Sequence, residues 1–413
     1  MSRPSTQSLR IVVTGLIAQH PSLAGMTWHY LQYLAGLKQL GHDVWYFEDS
    51  GEWPYTLDGG TTGQDWVARD GAANIEHLDR VMTRFGLGDR WAYRLATSSE
   101  WFGLAPITRR EVMQSADLLL NVSGSLERPE EYAATIRAAY IDSDPVFTQI
   151  KFALADIHAG FRDRVDAHHV HFTFGERLKG RAPETGHVWH PTRQPILLSE
   201  WTCEYAHRNV YTTVMAWTSY PPVEYCGQLY AQKDVEFGRF LDLPSHLASA
   251  RLEVAMNGTH HRNWENAARA CTATAVAGGN GTVGLLASSG WQVVEPADVC
   301  GSLDTYRSYV QTSKGEWSVA KNGYVMGQVG WFSERSACYL AAGRPVIVQD
   351  TGFGEVLPTG LGIVPFSTPT EAAIALRTVE ANYSKHSQAA RDIAEAYFDS
   401  SSVLNRLLES AFA

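Results

Sequence analysis

The stretch Gly330–Glu355, GWFSERSACYLAAGRPVIVQDTGFGE, constrains the fold more than any other part of the chain. It reads as helix, tight turn, buried strand and glycine loop in one unit. Ser333 is a helix-capping type, with a hydroxyl able to accept a backbone N–H left unpaired in the first turn. Ala337, Tyr339, Leu340 and Ala341 supply helix-forming residues with an apolar side. Gly343 stands where a helix ends in the left-handed conformation, and Pro345 forbids continuation. Val346, Ile347 and Val348 form the all-apolar run expected of a strand covered on both faces. The polar loop from Asp350 to Glu355 follows.

Ligands of open α/β sheets sit beyond the carboxyl ends of strands and at helix amino ends. The expected anion site is therefore the backbone from Ser333 through Glu334 and Arg335 to Ser336, with the Arg335 guanidinium on phosphate oxygens. Asp350, Thr351 and Glu355, with Gly352 in the same loop, are expected to face sugar or ribose hydroxyls.

The rest of the chain repeats the strand–helix alternation. Leu9–Gly15 reads as a buried strand ending in glycine, Thr27–Leu40 as a helix with Tyr30, Leu31, Leu34 and Leu37 along one side, and Asp43–Glu48 as the next strand. Helical patterning resumes at Trp66–Phe85. Strands are expected at Ala116–Val122, Ala138–Ile141 and His169–Thr173, each running into polar turn residues, so that one sheet edge lines a crevice. Residues 175–210 hold few periodic positions and several prolines and read as a connection. A second sheet is expected from Tyr211–Trp217, Leu252–Met256, Trp291–Val294 and Glu316–Lys321, with helices at Leu303–Gln311, Thr370–Ala381 and Ser384–Phe412. Residues 260–284 carry no assignable pattern, and part of them reads as a mobile loop.

The 330–355 pattern resembles the donor-nucleotide motif of GT-B glycosyltransferases, in which a helix start bearing Glu is followed by Ala-Ala-Gly-x-Pro-Val and a glycine turn with a carboxylate. Ser333-Glu334-Arg335-Ser336 departs from the Glu-Gly-Phe-Gly run of the retaining branch, which leaves the stereochemistry open. The resemblance implies an α/β fold of two Rossmann-like domains facing a central cleft. The expected boundaries are 1–205 for an acceptor domain, 206–382 for a nucleotide-sugar donor domain, and 383–413 for closing helices, the last crossing back to the first domain. It also implies transfer of a sugar from a nucleotide-diphosphate donor, with no cofactor beyond that donor and no metal. In inverting small-molecule members a histidine in the first loop is the base, which points to His20; Gly15, Gly25 and Trp28 then lie on the acceptor side.

Other residues carry weaker chemistry. Arg193 and Lys321 are further candidates for the diphosphate. Asp144, in the turn Asp142-Ser143-Asp144-Pro145, and Glu176, after Thr173-Phe174-Gly175, are carboxylates at strand ends and rivals to His20. Strand alternation puts His169 and His171 on one face and His168 on the other, without partners for zinc. Gly278-Gly279-Asn280-Gly281 is not followed by Gly-Lys-Ser/Thr and reads as a turn rather than a phosphate loop.

Composition narrows the partners. A formal charge of −10 over 413 residues and no visible Lys/Arg cluster argue against nucleic acid. There is no apolar run of about 20 residues to cross a membrane. The amino-terminal segment leads straight into a strand without the pattern of a signal peptide, and the five cysteines show no disulfide or zinc spacing, so a cytoplasmic monomer or homodimer is expected. Aromatic content of 11% suggests rings lining a small-molecule acceptor site, as in specialised metabolism. The alternatives are a nucleotide-sugar epimerase on the same frame and a non-catalytic sugar- or nucleotide-binding protein. A nicotinamide oxidoreductase is disfavoured because Gly15–Gly25 lacks Gly-x-Gly-x-x-Gly.

Overall fold

The computed structural model describes residues 8–56, 67–68, 70–134, 136–202, 206–257 and 280–413. Short apolar strands such as RIVVT and VIVQ, each followed by a helix, can bury both faces only in a parallel sheet covered on both sides. Two such sheets form.

The first has eight strands: β1 (Arg10–Thr14), β2 (Asp43–Glu48), β3 (Trp91–Leu95), β4 (Glu100–Gly103), β5 (Leu118–Val122), β6 (Arg137–Asp142), β7 (Val170–Thr173) and β8 (Trp189–Pro191). Their spatial order is β4-β3-β2-β1-β5-β6-β7-β8, parallel except for the antiparallel β3–β4 pair. The second lobe begins with β9 (Tyr211–Ala216), followed by the hairpin β10 (Val223–Tyr225) and β11 (Gln228–Tyr230). Then come β12 (Leu252–Asn257), β13 (Gln292–Val294), β14 (Gly315–Ser318), β15 (Val346–Gln349) and β16 (Ile363–Phe366). Its six-stranded parallel sheet runs β13-β12-β9-β14-β15-β16. Each sheet reverses its winding once, between β1 and β5 and between β9 and β14. At such a switch point the loops diverge to opposite faces and open a crevice.

The helix Ala24–Gln39 is buried at eleven of its sixteen positions, not along one stripe. A helix apolar nearly all round must be covered on several sides. Here the first sheet covers one side, and helices Leu303–Thr312 and Ser400–Ala411 pack against others. Trp28 is completely buried; its indole N–H donates to the Leu303 carbonyl at 3.1 Å and its ring lies 5.2 Å from that of Trp201. The helix Glu334–Ala341 packs against Tyr383–Tyr397, whose Arg391 donates to the Ala341 carbonyl at 2.6 Å and to Trp201 O at 2.8 Å. A cation there satisfies carbonyls that a helix end leaves unpaired.

Several sequence expectations change. The helix read as Trp66–Phe85 is seen as Ala72–Arg84, and Trp66 lies outside the described residues. The β3–β4 pair and helix Pro106–Ser115 were not foreseen, because their residues do not alternate strictly. Ser384–Phe412 is two helices, divided where the Asp399 side chain accepts from Ser402 N at 3.1 Å and caps the second. His168 and His171 are both buried, with ring centroids 6.4 Å apart, while His169 is exposed. The strand begins only at Val170, so alternation does not extend back over His168 and His169. Residues 258–279, including Gly278 and Gly279, lie outside the described residues; Asn280 and Gly281 open the helix Asn280–Ser288. Among the described residues no helix is long and apolar enough to cross a membrane.

Removing the Trp28 ring from the lobe contact leaves a cavity that neither lobe can fill. Trp28→Ala is expected to cost about 3–5 kcal/mol in equilibrium urea denaturation; a loss under about 1 kcal/mol would show that the contact is not packed in solution.

Candidate active site

A cleft opens beyond the carboxyl ends of β14 and β15 in the second sheet. Its floor is the carboxyl end of β14, Ser318-Val319-Ala320. One wall is the approach to helix Glu334–Ala341, with Trp331, Phe332, Ser333, Arg335 and Ser336; the other is Val348, Gln349, Thr351 and Phe353. Ser333 occupies the N-cap position with extended backbone, yet its side chain makes no capping bond. The amino end of this eight-residue helix therefore keeps unpaired N–H groups beside a free hydroxyl, which favours an anion.

Arg335 lines the same wall. Its Nε donates to Glu316 Oε1 at 2.6 Å, and its two terminal nitrogens donate to the Val214 carbonyl at 2.8 Å and Ser318 Oγ at 3.0 Å. Glu316 is fully buried, so the pair is a neutral structural unit beneath the cleft. Three of the five Arg335 N–H donors are thus spent inside the lobe, which leaves two for the phosphate role expected of it.

The cation left over is Lys233, at the start of helix Lys233–Phe237. It is nine-tenths buried, and among the described residues its ammonium has no hydrogen-bond partner and no ion pair. Burial first, then the neighbouring charges of Arg335 and Lys321, hold its pKa well below the ordinary lysine value, with Glu316 opposing. An uncompensated buried cation is costly unless something anionic joins it. Sequence reading passed over Lys233. The available signal was a lysine in the first turn of a helix, where the dipole disfavours positive charge.

The other predicted donor residues fall into place around this core. Thr351 is buried and donates its hydroxyl to the Trp331 carbonyl. Asp350 Oδ1 accepts from Gly352 N at 2.9 Å, and Gly352 has φ +86°, so the two build the turn. Glu355 is exposed and pairs with Arg177 at 3.3 Å. Ser336 is buried and lines the cleft. Glu334 points away from it: its Oε1 accepts from Gln32 Nε2 at 2.6 Å and Cys338 Sγ at 3.1 Å, at the contact with the first lobe. Burial raises its pKa to about 7.

Solved structures align over almost the whole chain. An α-glucosyltransferase in complex with UDP and a 13-mer DNA covers 98% of this chain and 100% of its own at 9% identity, TM-score 0.56. HepE from Anabaena, in complex with UDP and glucose, covers 97% and 99% at 9% identity, TM-score 0.57. The sucrose-phosphate synthase of Thermosynechococcus elongatus covers 97% and 98% at 11% identity, TM-score 0.54. No family model and no curated protein sequence matches the chain.

The fold is GT-B.

In this GT-B chain the first sheet reaches the cleft wall through Ser143, whose carbonyl accepts from the Trp331 indole at 3.3 Å and whose hydroxyl donates to Ser123 Oγ at 2.7 Å. His20, in the loop after β1, is half-buried and stacks on Tyr55 with ring centroids 4.7 Å apart. Burial lowers its pKa to about 4, so the imidazole is neutral at pH 7. The loop beneath it is held by Glu48, a fully buried carboxylate accepting from Ala18 N at 2.8 Å and Gln19 N at 2.7 Å. Burial raises the Glu48 pKa to about 7.

Expectations for six residues of the first lobe are corrected. Glu176 and Arg193 are tied to each other by bonds of 2.6 and 2.8 Å, with Arg193 also on the Val356 carbonyl, so neither is a free base or a phosphate ligand. Trp28 is a lobe anchor, not an acceptor platform. Gly15 and Gly25 are sites of close approach: a Cβ on Gly15 would lie 2.6 Å from the Tyr30 ring, and one on Gly25 3.4 Å from Tyr306 of the second lobe. Asp144 is bound by Lys321 at 3.0 Å and by the hydroxyls of Tyr220 and Tyr324, all from the second lobe. Among the described residues no three His, Cys, Asp or Glu side chains group to hold a metal ion.

Two outcomes follow from the buried charges. The folded pKa of Glu334, about 7, lies above its ordinary 4.5, so between these values the folded state holds a proton that the unfolded chain has shed. Its contribution to stability is present below the unfolded pKa and lost as pH rises through about 7, roughly 3 kcal/mol in all. Urea denaturation of Glu334→Gln at pH 5 and pH 8 should show the variant gaining on the wild type at pH 8; parallel behaviour at both pH values would contradict this. Lys233 has the opposite sense. Its depressed folded pKa makes the charged form unfavourable, so Lys233→Met should raise the stability of the ligand-free protein by about 1–4 kcal/mol at pH 7.

Proposed function

We propose that this chain is a glycosyltransferase that moves a sugar from a nucleotide-diphosphate donor to a small-molecule acceptor, without a metal. The observation that carries the reading is Lys233, a buried lysine that has no ion pair among the described residues and lies within electrostatic reach of Arg335 and Lys321, beside a helix amino end that borders an open cleft. A donor diphosphate supplies the missing negative charge. Ser333 Oγ and the free N–H groups of the helix take its oxygens. The charge that develops on the leaving diphosphate is then stabilised by groups already in position.

The acceptor belongs at the facing switch point of the first sheet. His20 is the one residue of the three sequence candidates whose side chain is not held in an ion pair or carboxylate network. Its neutral imidazole is poised to take the proton of an acceptor hydroxyl as the new bond forms. Burial keeps its ring nitrogens unprotonated at neutral pH, so a lone pair is available to the acceptor. The α-glucosyltransferase aligned above is seen with DNA. For this chain a formal charge of −10 favours an acceptor that is not a polyanion.

Thermal shift against UDP, GDP, ADP and dTDP and their sugars tests the donor site; UDP, present in two of the aligned structures, comes first. At 100 times its Kd a donor adds about 2.7 kcal/mol of stability. Lys233→Met should weaken nucleoside-diphosphate binding by about ten- to a hundredfold, the worth of a charge-assisted hydrogen bond, while leaving the free protein folded. Equal affinity in the variant removes Lys233 from the site. Donor isomerised without acceptor would identify an epimerase instead, and donor bound without any nucleoside diphosphate released across an acceptor panel that includes DNA would identify a binding protein.

A further inference from the structure

Asp144 is the least expected residue of the lobe interface. It belongs to the first lobe, in the turn after β6, yet its carboxylate is held only in part by its own lobe. Lys321 donates to Oδ1 at 3.0 Å, and the hydroxyls of Tyr220 and Tyr324 donate as well. These three donors follow the carboxyl ends of β9 and β14, the strands that flank the switch point of the donor sheet. Burial alone would raise the Asp144 pKa, but Lys321, Lys151 and the two hydroxyls outweigh it and hold the carboxyl below its ordinary value. The group is an anion in the folded protein.

The contact is built to be close. Helix Asn322–Gly327, directly after Lys321, presents Gly323 and Gly327 to the first lobe, where a Cβ would overlap Phe147 and Val146 respectively. Val146 itself has φ +73°, a strained conformation for a β-branched residue. The turn that carries Asp144 is thus pressed onto the segment that carries Lys321. It also touches the cleft: the Trp331 indole donates to the Ser143 carbonyl at 3.3 Å and its ring stacks on Tyr324 at 4.1 Å. Trp331 lines the donor cleft, and Lys321 lies within electrostatic reach of Lys233.

We propose that Asp144 is an intramolecular competitor for the donor diphosphate. With no donor bound, its carboxylate neutralises Lys321 and closes the lobes over the cleft. When the donor enters, Lys321 turns from Asp144 to the phosphate oxygens, and the released carboxylate loosens the first lobe to admit acceptor or release product. Arg335 is neutralised by Glu316 and Lys321 conditionally by Asp144, while Lys233 has no ion pair among the described residues. The proposal rests on the donor reading given above.

The test is a double-mutant cycle read by calorimetry with UDP, or with whichever nucleoside diphosphate binds the wild type. Asp144→Asn should tighten binding by about tenfold, a typical coupling between sites, and leave the affinity for the bare nucleoside unchanged. In a Lys321→Gln background the same substitution should have no effect on the diphosphate, because the cation competed for is gone. Lys321→Gln alone, which does not depend on Asp144→Asn folding, should weaken binding by less than about threefold, against the larger loss in Lys233→Met. Wild-type binding of UDP with Asp144→Asn unchanged or weaker overturns the clasp and leaves the donor site standing. A loss in Lys321→Gln equal to that in Lys233→Met also overturns it. If the wild type binds no nucleoside diphosphate, the donor reading and the clasp both fail.

Discussion

One buried amide joins the parts of this molecule. Gln32, on the first lobe's central helix, is fully buried; its Oε1 accepts from Leu197 N at 3.0 Å and the Trp201 indole at 3.2 Å, and its Nε2 donates to Glu334 at 2.6 Å. It therefore fixes the interlobe connection, the first lobe and the first residue of helix Glu334–Ala341 with a single side chain. Leaving either end unpaired in this interior would cost the desolvation of a polar group, so the arrangement is held cooperatively. The direction of helix Glu334–Ala341, and with it the cleft at its amino end, depends on this contact.

Around that helix the charges are sorted by what holds them. Glu316 takes Arg335 and Asp144 takes Lys321, while Lys233 is left to burial and to repulsion from its neighbours. A folded chain gains nothing in stability from such a lysine. Its presence makes sense as a preorganised partner for an anion that arrives later, because donors placed in advance need not be reoriented when charge develops. The loop after β1 follows a related logic with backbone instead of charge. Glu48, the Tyr46 hydroxyl at 3.0 Å from Ile17 N, and Asn74 at 2.8 Å from the Ala18 carbonyl pin the loop that ends in His20. A short loop fixed at three successive residues presents its last side chain in one place.

Much of the secondary structure could be read from residue order. Val346–Val348 is a fully buried strand because a run of β-branched residues can satisfy no other setting, and Gly343-Arg344-Pro345 ends a helix whatever surrounds it. The cleft beside Ser333 was legible for the same reason, since helix, turn, strand and loop were all local. The roles of individual polar residues were not. Arg335, Asp350, Thr351, Glu176, Arg193 and Asp144 all have side chains of the right chemistry near the right strand ends. Each is taken by a partner distant in sequence or by its own turn.

The amino-acid order by itself determined the alternation of strands and helices, and with it two parallel sheets with crevices at their carboxyl ends, because periodicity, glycine and proline act within a few residues. Only the tertiary structure decided which charges are spent and which remain. Lys321 meets Asp144 across 177 residues and Arg335 meets Glu316 across 19, whereas Lys233 forms no ion pair among the described residues. Ion pairing depends on separations of a few ångströms in space, and those are set by how the lobes pack, not by spacing along the chain.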